Sequence, residues 1–454
     1  MDLQGWLLRA LEAHGAWRAG FGPYTAHPAG EIDDETFGAA YGEFVKRMDG
    51  GNPFFHPRYA GQMVKPPHPA AVVGYLTAML ANPNNHAREG GPATTDMEIE
   101  VIAELAGMFG FGAHLGHLTG GGTIANLEAL YVARESHPGK EIAFSADGHF
   151  SHARMCRVLG IRGHSVAVDA HGRMDMGALE KLVRGGRIGT VVLTAGTTGL
   201  GAVDPVHEAL ALKEKYGVRL HVDAAYGGFF TLLAGGAGGE ALAPEPWRAI
   251  ADCDSVVVDP HKHGLQPYGC GAVLFGDPSV ARHYRHDSPF TYFTEAALHL
   301  GEVSLECSRA GAAAAALWLT LKVLPLTRDG LGAILAVGRR AALRWSDLIE
   351  ASPVLDLYQR PELDIVTFFP RTEPESLAGV DARSARLCAE ARADETDPVF
   401  LSLLRTDGEA FAARRPGVAR DGEHARILRS VLLKPEFETY LDRLHHRVEE
   451  LAGR

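Results

Sequence analysis

The chain has 454 residues, 46% hydrophobic and 22% charged, with a net charge of −12 at pH 7. That length exceeds one compact core and suits a large and a small domain, and the composition is that of a folded soluble protein. The acidic balance argues against nucleic acid or an anionic membrane surface as the main partner.

The opening residues, Met1 to Trp6, lack a charged region followed by an apolar run, so no signal peptide is expected. No 18-residue apolar span predicts a membrane helix. Residues 1–60 carry much Gly, Pro and aromatic content and no βαβ unit, and read as an arm that packs on a neighbouring subunit. From about residue 95 to 280, strand-like and helical runs alternate. Strands are predicted over 141–145, 165–169, 190–195, 219–223, 255–259 and 272–275, with helices over 126–135, 176–184 and 206–216. The strand runs are apolar throughout, as for a mostly parallel sheet covered on both faces. Ligands of such sheets bind at the carboxyl ends of the strands. The Gly-rich patch 235–239 reads as a surface loop. Further on, an Ala-rich helix is predicted over 308–323, a second over 331–350, strands over 363–369 and 400–404, and a last helix over 435–452. The expected division is an arm at 1–60, a large domain at 61–325 and a small α+β domain at 326–454.

Five cysteines (Cys156, Cys253, Cys270, Cys307 and Cys388) are scattered and odd in number. Without a disulfide framework or a CxxC pair, they point to a reducing cytoplasm. Among 22 histidines there is no HExxH motif, and His283/His286 and His445/His446 read as solvated helix faces, so no catalytic metal is expected.

Four segments carry chemistry. Thr119 to Asn126 reads TGGGTIAN and precedes a helix. Glycines let the backbone approach an anion, and a helix N-terminus offers unpaired N–H groups. Gly122 and Thr123 are nearest such an anion, unless the segment is only a tight turn. It is neither GxxxxGK[ST] nor GxGxxG, which disfavours a nucleotide. Asp223 closes the predicted strand 219–223, where it either serves a ligand or caps a helix. Lys262 follows the strand 255–259 at once, flanked by His261 and Tyr268. Burial there favours the neutral amine that attacks an aldehyde. His149, just past 141–145, either stacks on a planar ligand or starts a helix. Thr197 and Thr198, at another strand end, either donate to a ligand or shape a turn.

Together these segments resemble the group II pyridoxal-phosphate (PLP) decarboxylases, which include aromatic amino acid, tyrosine, aspartate and glutamate decarboxylases. The resemblance runs from about His56 to the C-terminus. It implies an α/β, PLP-dependent transferase fold of type I, with a mostly parallel central sheet and a smaller α+β C-terminal domain. It implies that Gly122 and Thr123 hold the phosphate and that His149 stacks on the pyridine ring. Asp223, in HVDAAY, pairs with the ring nitrogen, and Ala225 touches the ring's other face. Lys262, beside His261, forms the Schiff base, Thr197 lies with the cofactor, and Ser308 reaches the phosphate of the partner subunit in a homodimer. The substrate is an L-amino acid, placed in part by a residue near His86.

Two departures stand out. Asp259 occupies a position where relatives often have Ser or Asn, so its carboxylate is expected to turn away or bond locally. The mobile loop with a catalytic tyrosine has only the segment 286–306 to match it, where Tyr292 is the best candidate. The proton returned to Cα is then assigned to Tyr292 or His261. Rival readings are a PLP-dependent Cα–Cβ aldehyde lyase of the sphingosine-phosphate lyase type and a non-catalytic PLP-fold scaffold.

Overall fold

The computed structural model describes residues 1–285 and 299–454. Its centre is a seven-stranded sheet. The strands are β1 (Leu115–Thr119), β2 (Glu141–Ser145), β3 (Gly163–Val166), β4 (Ile188–Thr194), β5 (Arg219–Asp223), β6 (Ser255–Val258) and β7 (Gly271–Phe275). Their spatial order is β1-β7-β6-β5-β4-β2-β3. All neighbours pair in parallel except β7, which runs antiparallel to both β1 and β6. Every residue of β1, β4, β6 and β7 is buried, which is why these runs lack the alternation of a half-exposed strand.

Helices α1 (Leu3–Ala19) and α2 (Asp34–Met48) open the chain, within the segment read from the sequence as an arm without a βαβ unit. Asp2 and Asp33 cap them through backbone amides of Gly5 and Thr36. Then come α3 (Pro69–Met79), α4 (Pro92–Phe109), α5 (Gly122–Ser136), α6 (Ser151–Val158), α7 (Met176–Val183) and α8 (Val206–Tyr216). Helix α5 begins four residues before the predicted 126, because Gly122 itself takes helical geometry.

A second, antiparallel sheet has the order β10-β11-β9-β8, with β8 at Leu355–Gln359, β9 at Ile365–Pro370, β10 at Ser402–Asp407 and β11 at His424–Val431. The helix Leu331–Ala351 belongs to both cores. Leu331 and Leu335 pack in the large core, while Trp345 and Ile349 pack in the smaller one.

The carboxyl ends of β2, β4, β5 and β6 open on one side. Because β7 is reversed, its first residue, Gly271, lies on that same rim. A Cβ on Gly271 would stand 2.7 Å from the Gly121 Cα, so the chain passes itself there backbone to backbone.

Candidate active site

At that rim is a cleft of about 280 Å³. The turn Gly120–Thr123, His149, Asp223, Ala225, His261 and Lys262 all line it. The structure therefore brings together most of the residues singled out from the sequence, although they span more than 140 positions.

The turn enters the cleft ahead of α5. Gly121 has φ +139°, a conformation that favours glycine. A Cβ on Gly122 would meet Asp259 Oδ2 at 2.7 Å and the Ala225 Cβ at 3.1 Å. The backbone thus approaches the cleft as only a glycine allows, and the first amides of α5 have no intrahelical partner. Glu306 engages the amide of Gly120 at 2.9 Å, upstream of the helical amides.

Asp223 ends β5. Its Oδ2 accepts from His152 Nε2 at 2.8 Å, and its Oδ1 accepts from the Ala225 amide at 3.2 Å. Burial raises the Asp223 carboxyl, but the hydrogen bond and charge of His152, with Lys262 and His221 beyond, hold it well below the usual carboxylate range. His152 had no assigned part in the sequence reading. Its only signal was its spacing three residues after His149, at the entry to α6.

Lys262 lies in the turn after β6, where its amide donates to the Asp259 carbonyl at 2.9 Å. Its Nζ is 2.9 Å from Asp259 Oδ2. The expectation of a neutral amine is corrected here. Burial pushes the amine down, but the Asp259 carboxylate, with Asp223 behind it, outweighs burial and holds the pKa above the ordinary lysine value. Asp259 bonds within its own turn, one of the two outcomes the sequence left open. His261 donates from Nδ1 to the Cys270 carbonyl at 2.8 Å, and burial lowers its pKa.

His149 is half-buried, with Nδ1 2.6 Å from Ser151 Oγ. Burial lowers its pKa, which favours the neutral ring. Thr197 and Thr198 separate. The Thr197 hydroxyl accepts from the Ala202 amide at 3.0 Å and shapes the turn, while Thr198 lines the cleft. Ser308 is exposed, accepts from Asn84 Nδ2 at 3.2 Å, and does not line the cleft of its own chain. Tyr292 lies outside the described residues.

Behind the lysine turn, a buried network was not foreseen. His263 Nε2 is 2.8 Å from Asp364 Oδ2, the Tyr226 hydroxyl donates to Asp364 Oδ1, and His263 Nδ1 donates to the Tyr226 carbonyl at 3.0 Å. It ties the lysine turn to the entrance of β9 in the second sheet.

Two buried oxygens facing the cleft, Thr194 Oγ1 and Asp259 Oδ1, have no hydrogen-bond partner among the described residues. The glycine turn, the ionised Asp223 and the Lys262 amine fit a ligand that carries an anionic group, a basic ring nitrogen and an aldehyde, which are the groups of pyridoxal phosphate.

Among the described residues, no helix is long and apolar enough to cross a membrane. The pyridoxal-dependent decarboxylase conserved domain matches residues 52–370. The chain is 30% identical to an L-tyrosine decarboxylase of Enterococcus faecium over 68% of this chain and 66% of that one. It is 33% identical to a probable L-tyrosine/L-aspartate decarboxylase of Methanothermobacter thermautotrophicus, over 71% of this chain and 85% of the other. Two solved structures share the fold at low identity. Mouse CSAD in apo form has a TM-score of 0.79 at 22% identity, covering 95% of this chain and 90% of that one. Oryza sativa TDC with PLP and tryptamine has a TM-score of 0.77 at 17% identity, covering 99% and 98%. A fold of type I, a cleft fitted to pyridoxal phosphate and a domain match over most of the chain lead to one conclusion: this chain belongs to the pyridoxal-phosphate-dependent decarboxylases.

Proposed function

We propose that the protein decarboxylates an L-amino acid to the corresponding amine and carbon dioxide, with Lys262 as the residue that carries the cofactor. The observation behind this reading is the convergence of Lys262, Asp223 and the Gly122–Thr123 turn on one cleft. Bound there, pyridoxal phosphate supplies an aldehyde and a protonated ring that draws electrons from a breaking bond at Cα. The helical amides at Gly122 and Thr123 hold its phosphate. Asp223, kept ionised, holds a proton at the ring nitrogen. His149 and Ala225, which both line the cleft, would hold the ring between them. His261 is half-buried beside Lys262 and is one candidate to hand a proton to Cα; Tyr292 is the other.

The side chain of the substrate is argued from the arginines. Arg88 pairs with Asp96 at 2.7 Å, Arg309 pairs with Glu98, and Arg154 lies over the Phe150 ring. An acidic substrate needs a free cation, and each of these three arginines already has a partner in its own chain, which supports an uncharged side chain, tyrosine before aspartate. Carbon dioxide release measured over the twenty amino acids tests this. Release from tyrosine or another uncharged acid is expected. Release from aspartate alone rejects the specificity, and release of an aldehyde without carbon dioxide rejects decarboxylation.

A homodimer is part of the proposal. Helix α2 buries none of its residues, and Phe37, Tyr41 and Phe44 are 61%, 56% and 55% exposed. A stripe of that size in water supports a partner surface, with Ser308 reaching the partner's cleft. The five free thiols support a cytoplasmic setting. The division into 1–60, 61–325 and 326–454 also stands as a proposal, supported by a smaller core whose residues, Ala60 apart, all follow position 325.

A further inference from the structure

We propose that His152 is a positioning residue that orients Asp223 and keeps it ionised. The inference rests on the reading above, in which Asp223 meets the cofactor's ring nitrogen.

His152 is the second residue of α6 and is fully buried. Its Nε2 lies 2.8 Å from Asp223 Oδ2, a bond between residues 71 positions apart. The acceptor is a carboxylate oxygen, so the hydrogen sits on Nε2. With the Ala225 amide on Oδ1, the carboxylate is held at both oxygens and its plane is fixed.

The other ring nitrogen distinguishes this from ordinary core satisfaction. His152 Nδ1 is buried and has no hydrogen-bond partner among the described residues. His221, two residues before Asp223 and equally buried, places both its nitrogens, at Ser255 Oγ and Asn126 Oδ1, each at 2.8 Å. A buried polar atom left without a partner is costly. The His152 ring tolerates that cost and makes a single side-chain hydrogen bond, directed at the one carboxylate of the cleft wall that needs to stay charged.

The geometry also explains the spacing of the two histidines. His149 lies two residues before α6 and its carbonyl accepts from the His152 amide at 3.1 Å, so the segment entering α6 supplies His149 to the cleft and the helix supplies His152 to the back of Asp223. A shift of α6 would therefore move both together.

The test uses the holoenzyme loaded with cofactor labelled with 15N at the pyridine nitrogen. His152→Phe keeps a buried ring and removes the donor, and His152→Gln returns an N–H near the Nε2 position. For His152→Phe the ring-nitrogen signal is expected to move toward the unprotonated value, with kcat falling roughly 10- to 100-fold, the scale of losing a partner that orients a primary ligand. His152→Gln is expected to restore both. A folded His152→Phe protein with the wild-type signal overturns the proposal. Asp223→Asn, run in parallel, separates the two claims. If it moves the signal and His152→Phe does not, only the role of His152 falls; if neither moves it, the reading of Asp223 falls too. The wild-type protein gives a readout that does not depend on a variant folding. The 15N shifts of the His152 ring should show hydrogen on Nε2, and hydrogen on Nδ1 alone overturns the proposal.

Discussion

Lys262 and Asp259 face each other across a single turn, with Nζ 2.9 Å from Oδ2. The same carboxylate lies 3.5 Å from His261 Nε2, so one acidic group governs both basic side chains of the pair. The turn keeps the amine in place as an ammonium ion until a ligand displaces the contact.

Asp259→Asn should lower the pKa of the Lys262 amine, since the carboxylate is the main influence holding it up against burial. A group whose folded pKa is raised contributes stability that is complete below its unfolded value and is lost as pH rises through the folded value. The wild type should therefore lose some stability above about pH 10.5, and Asp259→Asn should lose that alkaline dependence. The pH midpoint for reaction of Lys262 with an aldehyde reagent in cofactor-stripped protein should move downward. An unmoved midpoint would show that Asp259 is not the controlling charge.

Lys262→Ala should leave the fold intact and remove the visible absorbance of lysine-bound cofactor. Turnover should drop by several orders of magnitude, because among the described residues Lys262 is the one lysine that lines the cleft. Persistence of the wild-type absorbance band would reject Lys262 as the anchor.

Gly122→Ala tests the anion turn. The new Cβ would stand 2.7 Å from Asp259 Oδ2, filling space at the mouth of α5. Cofactor binding should weaken about 10-fold or more, equivalent to about 1.4 kcal/mol, with a near-normal melting temperature. Equal loss of affinity and stability would instead mean that the glycine serves the fold alone.

Asp364→Ala should destabilise the protein by about 3–5 kcal/mol, because it strands His263 and the Tyr226 hydroxyl in a buried site. Burial raises the Asp364 carboxyl, but His263 and Tyr226 together hold it below its ordinary value of 3.8. A depressed carboxylate stabilises above its unfolded pKa, and the contribution is lost as pH falls through the folded one. Chemical denaturation should accordingly show the wild type losing stability below about pH 4 more steeply than the variant.

Phe44→Glu should convert a dimer to monomers and remove activity with it, if the α2 face is the partner surface. Sedimentation of a dimer unchanged by the substitution would place the interface elsewhere.

The legible parts of this chain were those governed by local rules. Strand β5 and helix α8 fall on their predicted bounds: Gly217 in the left-handed conformation ends the helix, and Leu220 and Val222 alternate with polar residues in the strand that follows it. Strand β1 was missed because Gly116 and His117 interrupt its apolar character, and only burial between β7 and α4 makes it a strand. The Gly, Pro and aromatic content around helices α1 and α2 masks them, although Asp33 followed by Asp34 and Glu35 is a readable helix start. In the site, residue types and strand ends identified Lys262, Asp223 and the glycine turn. The partners of those residues were not legible. The contacts of Asp223 with His152 and of His263 with Asp364 join positions 71 and 101 apart, and sheet order and docking of the second sheet decide them.

The backbone contact between Gly121 and Gly271 sets a limit on how this chain can drift. One glycine belongs to the anion turn, the other to the strand that closes the lysine hairpin, and neither has a side chain to trade. The span from anion cradle to amine is therefore gauged by main chain alone. Core side chains can be exchanged without altering that span, because none of them sets it. Substituting either glycine changes the gauge itself, so any tolerated replacement at Gly121 or Gly271 should demand a compensating change in the other strand.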